Sequence, residues 1–99
     1  MDITLLYFED CPNWKVAEER LAVIAAERPG ITVTRHLVET PEEAELLGFL
    51  GSPSIQVDGV DLFAQPGAQV GLTCRRYPTA GGHEGAPTLE QLRAALSDA

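Results

Sequence analysis

The apolar positions in the first third of the chain switch between a strand pattern and a helix pattern. Residues 2–8 form an apolar run rich in β-forming residues, which predicts a buried strand. Residues 12–28 carry apolar side chains every three to four positions, which predicts a helix with one buried face. That face consists of Trp14, Ala17, Leu21 and Ile24. Residues 31–38 return to a strand pattern, so the three elements predict a βαβ unit with parallel strands.

Turn and capping signals divide the middle of the chain. Thr40-Pro41-Glu42-Glu43 has the spacing of a capping box, with proline at the first helical position, and predicts a helix over residues 41–49. Residues 52–57 and 60–63 predict two strands, and the Asp58-Gly59 pair between them is a hairpin signal. We therefore expect these two strands to be antiparallel.

The segment 64–87 contains five glycines and three prolines and predicts no clear element, although residues 72–77 alternate enough to add a short strand. A second capping box at residues 88–91 predicts a last helix over residues 89–97. The predicted order is β-α-β-α-β-β-α, an α/β fold with a mixed four-stranded sheet. We expect one domain over the whole chain, because 99 residues build one modest core.

Composition narrows the partners and the compartment. The net charge is −8, from 15 acidic and 7 basic residues. Binding to nucleic acid or to an anionic membrane needs a basic patch, so we expect neither of them as a partner. No apolar run has the length of a membrane span and no leader pattern opens the chain, so we expect a cytoplasmic protein without membrane contact. Two cysteines there favour reactive, metal-binding or inert thiols over a permanent bridge. His36 and His83 stand alone, and no motif predicts a zinc site or a cofactor.

Cys11 lies where the first strand meets the first helix. Proline suits the first helical position, so Pro12 predicts Cys11 as the N-cap of that helix. The helix dipole and the free N–H groups there favour a thiolate, and Lys15 adds to this, whereas Glu9 and Asp10 oppose it. Helix starts are usually exposed and inert cysteines are usually buried, so we interpret Cys11 as a functional residue.

Two motifs resemble one known superfamily. Cys11-Pro12, after the first strand, resembles the first half of the thioredoxin and glutaredoxin active-site motif, and Ser52-Pro53-Ser54 resembles the cis-proline segment of the same proteins. The resemblance covers about residues 2–63 and 88–97. It implies a thioredoxin-like three-layer α/β/α sandwich in which a cis Pro53 lies against Cys11. Pro12, Ser52, Pro53 and Ser54 are then candidate substrate-binding residues.

The motif departs from that superfamily at Trp14, which stands where C-x-x-C has its second cysteine. Two interpretations of Trp14 stay open: a substrate-binding platform for an aromatic ligand, and a side chain that covers the edge of the core, which we favour. Cys74 also has two interpretations. It is either a buried core cysteine or a distant partner of Cys11, with Arg75 and Arg76 supporting its thiolate.

Three further segments resemble small actinobacterial-type thioredoxin-like proteins and a part of organomercurial lyases. They are Val57-Asp58-Gly59, Asp61-Leu62-Phe63 and Thr73-Cys74-Arg75-Arg76-Tyr77. In those lyases, cysteines bind mercury and an acid protonates the leaving carbon.

These features support three hypotheses of function. The first is thiol–disulfide exchange on a protein or low-molecular-weight substrate, with Cys11 as nucleophile, Pro53 and the Ser54 backbone orienting the substrate, and Cys74 or a small thiol resolving the mixed disulfide. The second is a site for mercury or copper(I) formed by the thiolates of Cys11 and Cys74. The third is a non-catalytic interaction module that keeps the fold.

The path of segment 64–87 predicts where Cys74 lies. Strand 60–63 ends at an edge of the sheet, and the chain must recross one end of the sheet to reach the last helix. We therefore expect Cys74 to approach Cys11, within the about 7 Å between Cα atoms that a disulfide allows. In the cytoplasm such a bridge would be a redox state and not a permanent link.

Overall fold

The computed structural model describes residues 1–97. Within them the chain is a mixed α/β structure with three helices and six strands. The helices are α1 (Trp14–Glu27), α2 (Pro41–Leu47) and α3 (Leu89–Ser97). The strands are β1 (Asp2–Tyr7), β2 (Thr32–Leu37), β3 (Ser54–Val57), β4 (Val60–Asp61), β5 (Tyr77–Thr79) and β6 (Gly82–Glu84).

The first four strands form one mixed sheet in the order β2-β1-β3-β4. Strand β1 pairs parallel with β2 and antiparallel with β3, and β3 pairs antiparallel with β4. Asp58 and Gly59 turn between β3 and β4 with positive φ angles of 53° and 79°, the backbone that such a two-residue hairpin requires. The predicted βαβ unit, the hairpin and the four-stranded mixed sheet are therefore confirmed.

Strand β1 runs through the middle of the core because both of its faces are covered. Ile3 and Leu5 point to one side, where they join a buried cluster with residues of α1 and α3. Leu6 points to the other side, where it packs with Val38, Ala44 of α2 and Phe49. The predicted apolar face of α1 is buried as expected, with Ala17, Leu21 and Ile24 fully enclosed.

The start of α1 differs from the prediction. The helix begins at Trp14 with Asn13 as its N-cap, so Cys11 is not the N-cap and Pro12 is not its first residue. Pro12 and Asn13 instead form a tight turn, in which the N–H of Lys15 donates to the Pro12 carbonyl at 3.1 Å. Such a short closure is common at helix ends, and it delays the start of the regular helix from residue 12 to residue 14.

Segment 64–87 also differs from the prediction. Residues 72–77 do not form a strand: Cys74 makes a single parallel bridge with Ser52, and the two-stranded sheet of β5 and β6 follows it. The extra pairing is therefore a hairpin further along the chain. The physical reason, described below, is that only two backbone hydrogen bonds, both to Ser52, flank Cys74, and side chains supply the other contacts that hold this segment.

Both predicted capping sites are occupied, but only one is reciprocal. At α3, the Thr88 hydroxyl accepts from the Gln91 N–H, and the Gln91 side chain accepts from the Thr88 N–H. At α2, the Thr40 hydroxyl accepts from the Glu43 N–H at 3.1 Å. The Glu43 carboxylate accepts instead from the N–H of Glu39, and this bond, with a further one to His36, holds the pKa of Glu43 below its usual value.

Replacement of Thr40 by alanine removes the cap of α2. We expect Thr40→Ala to lower the free energy of unfolding by about 1 kcal/mol, because the Glu43 N–H loses its acceptor. Thr40→Ser keeps the hydroxyl and is the matched control. Urea unfolding at neutral pH measures both variants, and equal midpoints for them would contradict this assignment of the cap.

Candidate redox site

A disulfide joins Cys11 to Cys74 across 63 residues of sequence. Their Cα atoms lie 5.6 Å apart, within the usual range for such a bridge. The expectation that Cys74 approaches Cys11 is confirmed, and the interpretation of Cys74 as a separate core cysteine is wrong. The chain-entropy model assigns about 4 kcal/mol of stability to a closed loop of this length.

Cys11 lies in the turn that leads from β1 to α1. Its N–H donates to the carbonyl of Phe8 at 3.1 Å, which closes the turn after the strand. The residue is only 1% exposed, so the expectation of an exposed helix start does not hold at this position. The first turn of α1 follows three residues later, and the positive end of its dipole still favours negative charge near Cys11.

Cys74 is held beside the cis-proline segment by the backbone of Ser52. The Ser52 N–H donates to the carbonyl of Thr73 at 2.7 Å, and the Ser52 carbonyl accepts from the Arg75 N–H at 2.9 Å. The peptide bond from Ser52 to Pro53 is cis, as expected from the resemblance. The backbone N–H and carbonyl of Ser52 are therefore both hydrogen-bonded to the residues that flank Cys74.

Glycine is required at position 51 for this close approach. Gly51 has a φ of 109°, which side-chain-bearing residues rarely adopt, and a Cβ there would lie 3.1 Å from the Arg75 Cβ and 3.2 Å from the Thr73 carbonyl oxygen. The segment that carries Cys74 can therefore pack directly against the backbone before Pro53.

The remaining groups of the cis-proline segment are also paired within the chain. The Ser52 hydroxyl accepts from the Phe8 N–H at 3.0 Å, and the Ser54 hydroxyl donates to the Gly51 carbonyl at 2.6 Å. The Tyr77 hydroxyl donates to the carbonyl of Pro53. Ser52, Pro53 and Ser54 are all buried, so these candidate substrate-binding residues hold the Cys74 segment in this structure.

A buried ion pair fixes the residue that follows Cys74. The guanidinium of Arg75 contacts both carboxylate oxygens of Asp61, at 2.6 and 3.2 Å, and donates to the Phe63 carbonyl at 2.7 Å. The two side chains are only 10% and 5% exposed. The guanidinium also lies 4.6 Å from the centre of the Tyr77 ring. Such a bidentate, stacked arrangement needs arginine and not lysine.

Burial in this cluster raises the pKa of Tyr77 well above its ordinary value. The nearby Arg75 cation lowers it in part, and the Asp61 carboxylate adds to the increase. Tyr77 is therefore a neutral hydrogen-bond donor to Pro53 at physiological pH.

Sequence reasoning missed the role of Asp61 and misassigned that of Arg75. The sequence predicts that Arg75 supports a Cys74 thiolate, but the structure pairs its charge with Asp61. The sequence features that could have indicated this ion pair are an acid in a short hairpin strand and an arginine next to Cys74. Their separation of 14 residues across an irregular loop shows no periodicity that would pair them.

Trp14 lies at the edge of the core, and its surroundings support the interpretation that we favoured. The side chain is buried, with its ring 4.4 Å from the ring of Tyr7. The cationic groups of Lys15 and Arg35 lie 5.8 and 5.2 Å from the centre of the Trp14 ring. The exposed Pro12 precedes it in the turn beside Cys11.

The end of the long loop packs on the turn that follows Cys11. Gly85 lies directly against the Asn13 side chain, which would have to move if residue 85 carried a Cβ. Two residues further on, the Pro87 carbonyl accepts from the Arg20 side chain of α1 at 2.7 Å. The loop is thus attached to the sheet before the β5–β6 hairpin and to α1 after it.

The other candidate residues are not gathered into a site. His36 contacts Glu43 at 3.2 Å, and His83 is exposed in β6. Within residues 1–97, no group of three or more His, Cys, Asp or Glu side chains is placed to hold a metal ion. None of the three helices in that range is long and apolar enough to cross a membrane.

Comparisons with protein-family models, with curated proteins and with solved structures find no match for this chain. The geometry of the site therefore carries the functional argument.

Replacement of Asp61 by asparagine tests the buried ion pair. In the native protein the Asp61 carboxylate accepts a hydrogen bond from the Phe63 N–H at 2.8 Å. Asparagine has the same shape and keeps an oxygen that can accept this bond. It carries no charge, however, so the Arg75 guanidinium loses its ionic partner. We expect Asp61→Asn to lower the free energy of unfolding of the oxidised protein by about 3–5 kcal/mol. Urea unfolding under non-reducing conditions gives the measurement.

The matched control for Asp61→Asn is Glu27→Gln, which removes a carboxylate from the exposed Glu27–Arg93 pair. This control should change the unfolding midpoint very little, because water replaces the lost partner. Equal losses in the two variants would show that burial of the Asp61–Arg75 pair has no special role.

Proposed function

We propose that this chain is a thioredoxin-like thiol–disulfide oxidoreductase that cycles between a Cys11–Cys74 disulfide and a dithiol. One observation carries the proposal: the two cysteines, 63 residues apart, meet beside a cis proline at the point where β1 leads into α1. The bridge replaces the local dithiol that Trp14 excludes. The substrate is a thiol or disulfide of a protein or of a low-molecular-weight compound.

The proposal includes a thioredoxin-like three-layer α/β/α fold. The element order supports it, since β1, α1, β2, α2, β3, β4 and α3 follow the β-α-β-α-β-β-α order with the β5–β6 hairpin inserted. The parallel pairing of β1 with β2 and the antiparallel pairing of β3 with β4 support it as well. So do the two apolar clusters, which lie on opposite sides of β1.

The chemistry is a pair of exchange steps. A substrate thiolate attacks one sulfur of the bridge, forms a mixed disulfide and releases the other cysteine as a thiolate. A second substrate thiolate then attacks the substrate sulfur of the mixed disulfide and releases the remaining cysteine. The protein gains two electrons and two protons, and two substrate thiols become one disulfide. The reverse sequence reduces a substrate disulfide and restores the bridge.

The position of Cys11 before α1 favours this cycle. The N-terminal end of a 14-residue helix stabilises negative charge, and a thiolate is both the nucleophile and the leaving group in each step. In the cytoplasm, where we expect the protein to work, small thiols supply the reducing equivalents.

A test of the proposal is to reduce the native protein in dithiothreitol buffers of defined ratio and to count free thiols. We expect reversible two-electron reduction without denaturant, at a potential above about −300 mV, since structural bridges lie below that value. The protein should also catalyse reduction of a small model disulfide by dithiothreitol, and Cys11→Ser and Cys74→Ser should each abolish turnover.

The control for turnover is the reduced wild-type protein with both cysteines alkylated. A bridge that opens only in denaturant would identify it as a structural link and contradict the proposal. Partner binding that survives Cys11→Ser, in a protein without turnover, would favour the non-catalytic interaction module.

A second candidate function is soft-metal binding by the reduced pair. The same proximity of Cys11 and Cys74 favours it, because two thiolates suffice for linear coordination of mercury or copper(I). We expect the reduced protein to bind one such ion per chain in competition with a small thiol chelator, and each cysteine-to-serine variant to lose that affinity. Full affinity in either variant would exclude a two-thiolate site.

A further inference from the structure

The two halves of the bridge differ in their access to solvent. Cys11 is 1% exposed, enclosed between the end of β1 and the first turn of α1. Cys74 is exposed, and so are its neighbours Thr73 and Arg76. A thiolate that opens a disulfide approaches along the extension of the S–S bond, on the far side of the sulfur that it attacks. Attack on Cys74 therefore arrives from solvent, whereas attack on Cys11 would arrive through the interior.

We infer that the mixed disulfide forms on Cys74 and that Cys11 is the leaving and resolving thiol, which rests on the oxidoreductase function proposed above. This assignment is the reverse of the sequence-based expectation, in which Cys11 attacks the substrate and Cys74 resolves. Cys74, on the loop, is then the catalytic residue that touches the substrate, and the helix start serves the buried partner.

Electrostatic interactions also favour attack on Cys74 over attack on Cys11. When Cys74 is attacked, the sulfur that leaves as a thiolate is Cys11, next to the N-terminal end of α1. When Cys11 is attacked, the leaving thiolate is Cys74, whose neighbour Arg75 is already neutralised by Asp61. The better-stabilised leaving thiolate makes the faster exchange. Glu9 and Asp10, the acids that precede Cys11, are both exposed to water, which screens their charges.

The surface beside Cys74 offers room for a substrate. An open groove begins at Arg75 and Arg76 and continues over Phe63, Gln65, Tyr77 and Gln91. We call it the loop groove. Cys74 does not line the groove, which starts at the next residue, so a substrate bonded to Cys74 has a surface of aromatic, amide and cationic side chains over which to extend.

The attacked sulfur also stays in place when the bridge opens. Thr73 and Arg75, on either side of Cys74, are bonded to the backbone of Ser52, and the Arg75 side chain is bonded to Asp61. These contacts do not pass through the disulfide. The Cys11 thiolate thus remains next to the Cys74 sulfur and can attack it, which expels the substrate thiolate and closes the bridge again.

In the reducing direction, the protein dithiol transfers two electrons to a substrate disulfide in two exchange steps. The Cys74 thiolate attacks a substrate disulfide, one substrate sulfur bonds to Cys74, and the other leaves as a thiolate that takes up a proton. The Cys11 thiolate then attacks the Cys74 sulfur, the second substrate thiolate leaves, and the protein bridge forms. One substrate disulfide becomes two thiols, and the protein dithiol becomes a disulfide.

Mapping the mixed disulfide on the wild-type protein tests this assignment. The oxidised protein is mixed with glutathione, quenched in acid within the first turnover, unfolded and treated with N-ethylmaleimide. Peptide mass spectrometry without reduction then locates the two modifications. We expect glutathione on Cys74 and maleimide on Cys11, in about tenfold or greater excess over the opposite isomer. Glutathione mainly on Cys11 would overturn the assignment.

The single-cysteine variants give an independent rate measurement. Reduced Cys11→Ser, which keeps Cys74, should react with an aromatic disulfide reagent about tenfold faster than reduced Cys74→Ser, which keeps the buried Cys11. The same reaction in urea is the control, because the two thiols should become similar when the chain is unfolded. A native Cys74→Ser variant that reacts as fast as Cys11→Ser would contradict the inference.

Failure of this inference differs from failure of the proposed function. Turnover by the wild-type protein with the adduct on Cys11 would keep the oxidoreductase and reject the role of Cys74. A wild-type protein without any exchange would reject both.

Discussion

A buried ion pair determines where the long loop of this chain lies. Apart from the disulfide and the Arg75 side chain, residues 73–77 are attached to the earlier part of the chain by two backbone hydrogen bonds to Ser52 and by the Tyr77 hydroxyl. The carboxylate sits at the end of the short strand β4, where the sheet has a free edge. The Arg75 side chain packs against that end of β4 and does not extend the sheet.

The free-energy cost of removing the Arg75–Asp61 pair from water explains which groups surround it. A charge pair that loses water must be satisfied on all sides, and here the Phe63 carbonyl, the Ser54 hydroxyl and the Tyr77 ring complete the shell around the guanidinium. Within residues 1–97, no buried side-chain polar atom lacks a hydrogen-bond partner. A fully paired network of this kind specifies one position for Cys74.

The sequence predicted most of the elements because their signals are local. Periodicity located β1, β2 and the buried face of α1, and the capping box at residues 88–91 located α3. The start of α1 was placed too early, since the preference of Pro12 for a first helical position was outweighed by the tight turn with Asn13. Local signals of this kind fix an element better than its ends.

The candidate site was predictable only in part, for the same reason. The route of the chain was enough to bring Cys74 to Cys11. The exposure of each cysteine could not be predicted, because it depends on how the loop packs. That packing depends on pairs such as Gly85 with Asn13 and Arg75 with Asp61. These pairs join residues with no common period, so a pattern-based argument has no means to find them.

The attachment of the loop at both ends has a thermodynamic consequence. Since Ser52, Asp61 and Arg20 hold the loop independently of the bridge, opening the disulfide releases little chain entropy in the native state. The two thiols then keep a high effective concentration toward each other. A dithiol held in this way re-forms its disulfide readily, because closing the bridge orders little more of the chain.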